Sequence, residues 1–173
     1  MGLGPIQREW LRRTLKDAAS KDQKAVLFSH VGAHRDQMNR RHPYYRLSDE
    51  EEVRRILEES GCAVAYLSGH AHNPGHCVEN GVHYVTIQGM VEAPLYVNGY
   101  AVVEVYPDRL EVRGVGLQPN ITLNLPAGVP AGAAAPLLLH LFGPRRAVAF
   151  QRPASSSSSS SVVPGSRQRS RER

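Results

Sequence analysis

Cysteine is nearly absent. Cys62 and Cys77 are the only two in the chain, too few for a disulfide framework and without the C-x-x-C spacing of a zinc or redox motif. A reducing, cytoplasmic setting is the expectation. Long apolar runs are missing too. Leu137 to Phe142, the longest near the end, contains His140 and is far too short to span a bilayer. The start is neither basic nor followed by a long apolar core, so no signal peptide is expected, and Gly2 lacks the hydroxyl residue that a myristoylation site wants. No G-x-S-x-G and no phosphate-cradling glycine motif occurs. These absences argue against a secreted scaffold, a membrane partner and a serine hydrolase.

Positive charge is plentiful but unevenly placed. The net charge is +5. From Pro126 onward there are seven arginines, no lysine and one acid, whereas residues 1–125 hold 14 basic and 15 acidic side chains. The basicity belongs to the tail. With no basic face and no interleaved aromatics, the body is not expected to bind nucleic acid.

Gln7 to Ala19 reads as a helix, with Ile6, Trp10, Leu11, Leu15 and Ala18 at helical spacing and Pro5 in its first turn. Lys24 to Ser29 is a short apolar strand of the buried parallel type, running into His30. Val31 to Leu47 has no period and reads as a long loop. Its His34, His42, Tyr44 and Tyr45 either contact a phosphate or a base, or simply cover a surface. Ser48 to Ser60 is a helix with a Ser48/Glu51 capping box, a stripe of Val53, Ile56 and Leu57, and Gly61 at its end. Ala63 to Leu67 is a second apolar strand, and two such strands, each after a helix, predict a parallel pair. Asn73 to His76 and Asn80-Gly81 read as turns, and Val82 to Ile87 as a strand. Gly99 to Tyr106 and Leu110 to Val115 form a hairpin, expected antiparallel at the sheet edge. From Pro126 the chain is rich in Ala, Gly and Pro, then runs through seven serines to an Arg/Ser end. Without an amphipathic period, ordering it would go uncompensated, so disorder is expected.

Two strands end in imidazole: Phe28-Ser29-His30, and Ser68-Gly69-His70-Ala71-His72. The carboxyl edge of a sheet is where open α/β folds place ligands, and neutral imidazole is the commonest side-chain metal ligand. In an extended H-x-H pair the side chains point to opposite sides, which suits two neighbouring ions better than one. The bland alternative is a polar surface turn. His83, within a strand, reads as a core or edge residue, and His76 beside Cys77 forms no zinc spacing.

With these strand ends, the chain resembles the calcineurin-like metallophosphoesterases, which end successive strands with metal ligands, among them a lone His and G-H-x-H. The G-x-x-Q-x-x-W-L segment from Gly4 to Leu11, Ser29-His30, the motif Gly69-His70-Ala71-His72, and the segments Gly81–Gly89 and Tyr100–Gly114 look like one branch. That branch is the manganese-dependent ADP-ribose/CDP-alcohol diphosphatases. The resemblance covers roughly Gly4 to Leu123. It implies that His30 and His70 ligate one Mn2+ and His72 a second, and that the substrate is a nucleoside diphosphate-linked small molecule. The family's upstream motifs D-x-H, G-D-x-x-D and G-N-H-[DE], which carry the bridging Asp, further ligands and the catalytic His, do not occur here. No catalytic residue is therefore assigned within this chain.

The expected fold is α/β: the C-terminal half of a calcineurin-like metallophosphoesterase sandwich, a mixed sheet with flanking helices, over residues 1–125. Residues 126–173 are expected to form a disordered tail. The expected function is the C-terminal portion of a metal-dependent diphosphate hydrolase, inactive alone. The rival is a non-catalytic truncated isoform, an interaction or regulatory protein using a sheet edge left uncovered.

Overall fold

The computed structural model of the chain describes residues 1–37, 42–94, 97–125, 137–140 and 147–149. Helix α1, Gly4–Ser20, begins three residues earlier than its apolar period suggests, with Pro5 in its first turn. Leu11, Leu15 and Ala18 are buried. Trp10 packs half-buried against them, whereas Ile6 is 72% exposed and is not part of the stripe.

Helix α2, Glu50–Ser60, buries Val53, Ile56 and Leu57 and closes on Gly61 in the left-handed region, as its sequence predicts. The expected Ser48/Glu51 capping box does not form. Asp49 occupies the cap position without capping its own helix. Its carboxylate instead accepts hydrogen bonds from Leu3 N and Gly4 N, at 3.1 and 3.2 Å, and from Arg8. Burial works to raise the Asp49 pKa, but the Arg8 and backbone hydrogen bonds outweigh it and hold it below the usual range. The unsatisfied N–H groups at the start of α1 are thus satisfied from α2, which ties the two helices together.

The strands make two sheets. In the six-stranded sheet, β1 (Ala25–Ser29), β2 (Ala63–Ser68) and β4 (Val82–Thr86) run parallel. The segment read as a turn at Asn73–His76 instead leads into β3, Gly75–Glu79, antiparallel to β4 across Asn80-Gly81. The later hairpin is not the edge of this sheet. Strands β5 (Tyr100–Val105), β6 (Arg109–Val115) and β7 (Ile121–Asn124) form a separate antiparallel sheet. Strand β7 is too short to stand out as a period in the sequence.

Alternation along the strands sorts the layers. Ala25 and Leu27 of β1, with Tyr66 and Tyr84, pack against the two helices. Val26 of β1, with Val64, Leu67 and Val85, packs against Leu110, Val112 and Leu123 of the smaller sheet. The order is helices, large sheet, small sheet. Each buried Leu or Val stabilises this sandwich by roughly 1.5–3 kcal/mol.

The expectation of a disordered tail from Pro126 falls largely outside the described residues. Two pieces of that stretch are described, and both are strands: β8, Leu137–His140, parallel to β1, and β9, Ala147–Ala149, antiparallel to β8. The physical reason is the open edge of β1, a row of backbone groups that must find partners. The edge invoked for an interaction protein is therefore paired. Among the described residues, no helix is long and apolar enough to cross a membrane.

Candidate metal centre at the carboxyl edge of the sheet

Parallel pairing of β1 and β2 in the register Ser29 to Ser68 brings the two strand ends side by side. His30 follows one and Gly69-His70 the other. The Gly69 N–H donates to the His30 carbonyl at 3.2 Å, so the turns themselves are joined. His30 Nε2 then lies 3.1 Å from His70 Nδ1, with ring centroids 4.9 Å apart. Both His70 and His72 have left-handed backbones, φ +59° and +62°, and Ala71 N donates to Gly69 O at 2.7 Å between them. Such conformations cost roughly 1–2 kcal/mol per non-glycine residue. The H-x-H pair is therefore a tight turn and not the extended segment its sequence suggested. Its side chains diverge all the same: His72 Nδ1 meets Glu92 Oε1 at 3.1 Å.

The surroundings fix these rings. A Cβ on Gly89 would stand 2.8–3.0 Å from His72 ring and Cβ atoms, and Gly89 N donates to His72 O at 2.9 Å. Among the described residues of the stretch read as a loop, 3-10 turns form at Arg35–Gln37 and Pro43–Tyr45, which the aperiodic sequence does not suggest. Gln37 is fully buried. Its side-chain oxygen accepts from Ala33 N and His34 N, and its amide donates to Ser68 Oγ and Thr86 Oγ1, at 2.7–3.1 Å. One glutamine thus pins the loop to the ends of β2 and β4. The second 3-10 turn lays Tyr44 and Tyr45 beside His70, at centroid distances of 5.1 and 5.7 Å.

Burial lowers the His70 pKa, the neighbouring His30 lowers it further, and a hydrogen bond to the Tyr44 backbone works the other way. The shift favours the neutral, coordinating form of His70. His30 Nε2 and His70 Nδ1, 3.1 Å apart, are close enough to take two positions in the coordination sphere of a single ion. The sphere is not completed: among the described residues, no group of three or more His, Cys, Asp or Glu is arranged to hold a metal. His72 with Glu92 forms a separate pair of donors.

The other histidines do different work. His83 Nε2–H donates to Asn124 O at 2.9 Å, which leaves its Nδ1 to accept from His76 Nε2 at 3.1 Å. The pair links β3 and β4 to β7 and is structural. His34 sits buried between Cys77 Sγ, 3.2 Å from its Nδ1, and Glu79 Oε2, 3.1 Å from its Nε2. Burial and the carboxylates of Asp36 and Glu79 push the Cys77 thiol up to about 12, so it is not a nucleophile at neutral pH. His42 accepts from Tyr44 N at 3.2 Å and caps its turn. Sequence reading does not single out Glu92, Gly89 and Gln37, because each acts on residues distant in the chain, with no local spacing to mark it.

No family model matches the chain. It is 30% identical over 123 residues to the manganese-dependent ADP-ribose/CDP-alcohol diphosphatase of Xenopus tropicalis, covering 70% of this chain and 35% of that one. It is 32% identical over 115 residues to the Oryza sativa protein of the same name, covering 65% and 35%. The chain thus spans about a third of the length of these relatives. A solved dimetal phosphatase from Danio rerio has the same fold, with a TM-score of 0.66 at 24% identity over 71% of this chain and 38% of its own. By these similarities the chain belongs to the manganese-dependent ADP-ribose/CDP-alcohol diphosphatase family, with the calcineurin-like metallophosphoesterase fold.

Proposed function

We propose that residues 1–125 are the C-terminal portion of a metal-dependent hydrolase that cleaves the diphosphate linkage of ADP-ribose- or CDP-alcohol-type substrates. In this reading His30 and His70 hold one divalent ion, His72 contributes to a second, and the portion does not turn over substrate by itself. The observation that supports it most is the 3.1 Å approach of His30 Nε2 to His70 Nδ1 at the carboxyl edge of two parallel strands. When bound, a pair of divalent ions neutralises a diphosphate and activates a water. The chain's own residues orient the imidazoles: Gly69 fixes the turn against His30, the Tyr44 backbone holds His70, and Gly89 leaves room for the His72 ring. No described carboxylate joins His30 and His70, and three imidazoles without a bridging Asp hold manganese weakly. The two free thiols suit a cytoplasmic location.

Electron paramagnetic resonance of added Mn2+ tests the ligands, and ADP-ribose hydrolysis tests completeness. Mn2+ is expected to bind weakly, with His70→Ala removing what binding there is, and no turnover is expected. Because the His70 pKa is lowered, protons compete less than at an ordinary imidazole. Binding is expected to persist as pH falls to about 6.5 and to fade only below it. Mn2+ binding indifferent to His70→Ala overturns the ligand assignment, and turnover by this chain that is lost in His70→Ala overturns its incompleteness.

A further inference from the structure

Tyr44 is 68% exposed, yet its ring is held by the same edge that carries His30 and His70. Its centroid lies 5.1 Å from that of His70 and 5.4 Å from that of Tyr45, the two tyrosines meeting edge-on at 84°. The turn beneath is fixed at several points. Pro43 sets its first residue, His42 caps it, Leu47 N donates to Gly32 O at 2.9 Å, and Arg46 is paired with Glu50. Leu47 itself is buried. A tyrosine serving only to shield His70 would be expected to bury its ring. This one stays largely exposed.

We propose that Tyr44 is a stacking platform for the nucleobase of a nucleotide whose phosphates lie at the His30–His70 edge. The proposal rests on the reading of that edge as the diphosphate's site and adds where the base goes. Stacking on an aromatic face tolerates any base, because every base has a π face. Stacking by itself therefore accepts adenine and cytosine alike, the two bases that the relatives' name spans. The ligand is a mononucleotide unit and not a nucleic-acid strand, since residues 1–125 carry 14 basic against 15 acidic side chains and offer no track for a polyanion.

Calorimetric titration of the full chain with AMP, CMP and ribose 5-phosphate tests this. AMP and CMP are expected to bind within a few-fold of each other and about tenfold more tightly than ribose 5-phosphate, the range of one base stack. Tyr44→Ala is expected to bring AMP and CMP down to the level of ribose 5-phosphate, Tyr44→Phe to retain the difference, and Tyr100→Ala, an exposed tyrosine on β5, to change nothing. Equal affinity of all three ligands, or AMP binding indifferent to Tyr44→Ala, overturns the platform. A short oligoadenylate that binds much more tightly than AMP overturns the mononucleotide assignment. The Mn2+ measurement on His70→Ala is independent: its failure with the Tyr44 effect intact removes the metal reading alone, and the reverse removes the platform alone.

Discussion

At the scale of single residues, buried polar groups decide where the edge histidines stand. Gln37 has no exposed surface and makes four hydrogen bonds, two of them to backbone N–H groups of the loop. Gln37→Leu keeps the volume but strands Thr86 Oγ1 and both N–H groups, each unpaired group costing about 1–3 kcal/mol. Partial relaxation of the loop should limit the total. A loss of roughly 2–4 kcal/mol in urea unfolding is expected, and a loss under about 0.5 kcal/mol would show that the loop does not depend on this anchor. The left-handed backbones of His70 and His72 belong to the same scale. Non-glycine residues persist there only when their surroundings over-determine them, as the backbone bonds of Gly69 and Gly89 do here.

At the scale of elements, the His76–His83 pair joins the β3–β4 hairpin to β7. Burial lowers the His76 pKa and the neighbouring His83 lowers it further. The sign follows directly. The unfolded chain takes up a proton near pH 6.5, whereas the folded chain takes it up only at lower pH, so between the two the unfolded state binds more protons. Stability contributed here is present above about 6.5 and is lost as pH falls through the folded value. Thermal unfolding is expected to drop in midpoint below that pH, and His76→Asn to flatten the drop. An unchanged acid slope in that variant would place the loss elsewhere. The helices carry the same lesson about elements: Asp49 reads locally as part of the start of α2, but the open N–H groups of α1 claim its carboxylate.

At the scale of the whole molecule, the two described pieces beyond Pro126 change what the tail is expected to do. Strand β8 pairs along β1 from Ala25 to Phe28 and covers an edge that would otherwise be open to another chain. Ending the chain at Leu125 is expected to lower the thermal midpoint and to produce concentration-dependent association in analytical ultracentrifugation. A truncated protein as stable and as monomeric as the full chain would show that β8 is dispensable, as the low-complexity composition suggested.

The two helices, the apolar strands β1, β2 and β4, the β5–β6 hairpin and the histidines that tip two strands are all legible along the chain. Each of these is a local signal: a period, a cap, or a motif directly after an apolar run. The remaining features depend on how the layers pack. That His30 and His70 meet follows from the parallel register of β1 with β2, 40 residues apart in sequence. Glu92 as the partner of His72, Asp49 as the cap of α1 and β8 as the neighbour of β1 are equally long-range. Each was settled by which unsatisfied group lay within reach after the layers had packed, a question of distance in space that no spacing along the chain encodes.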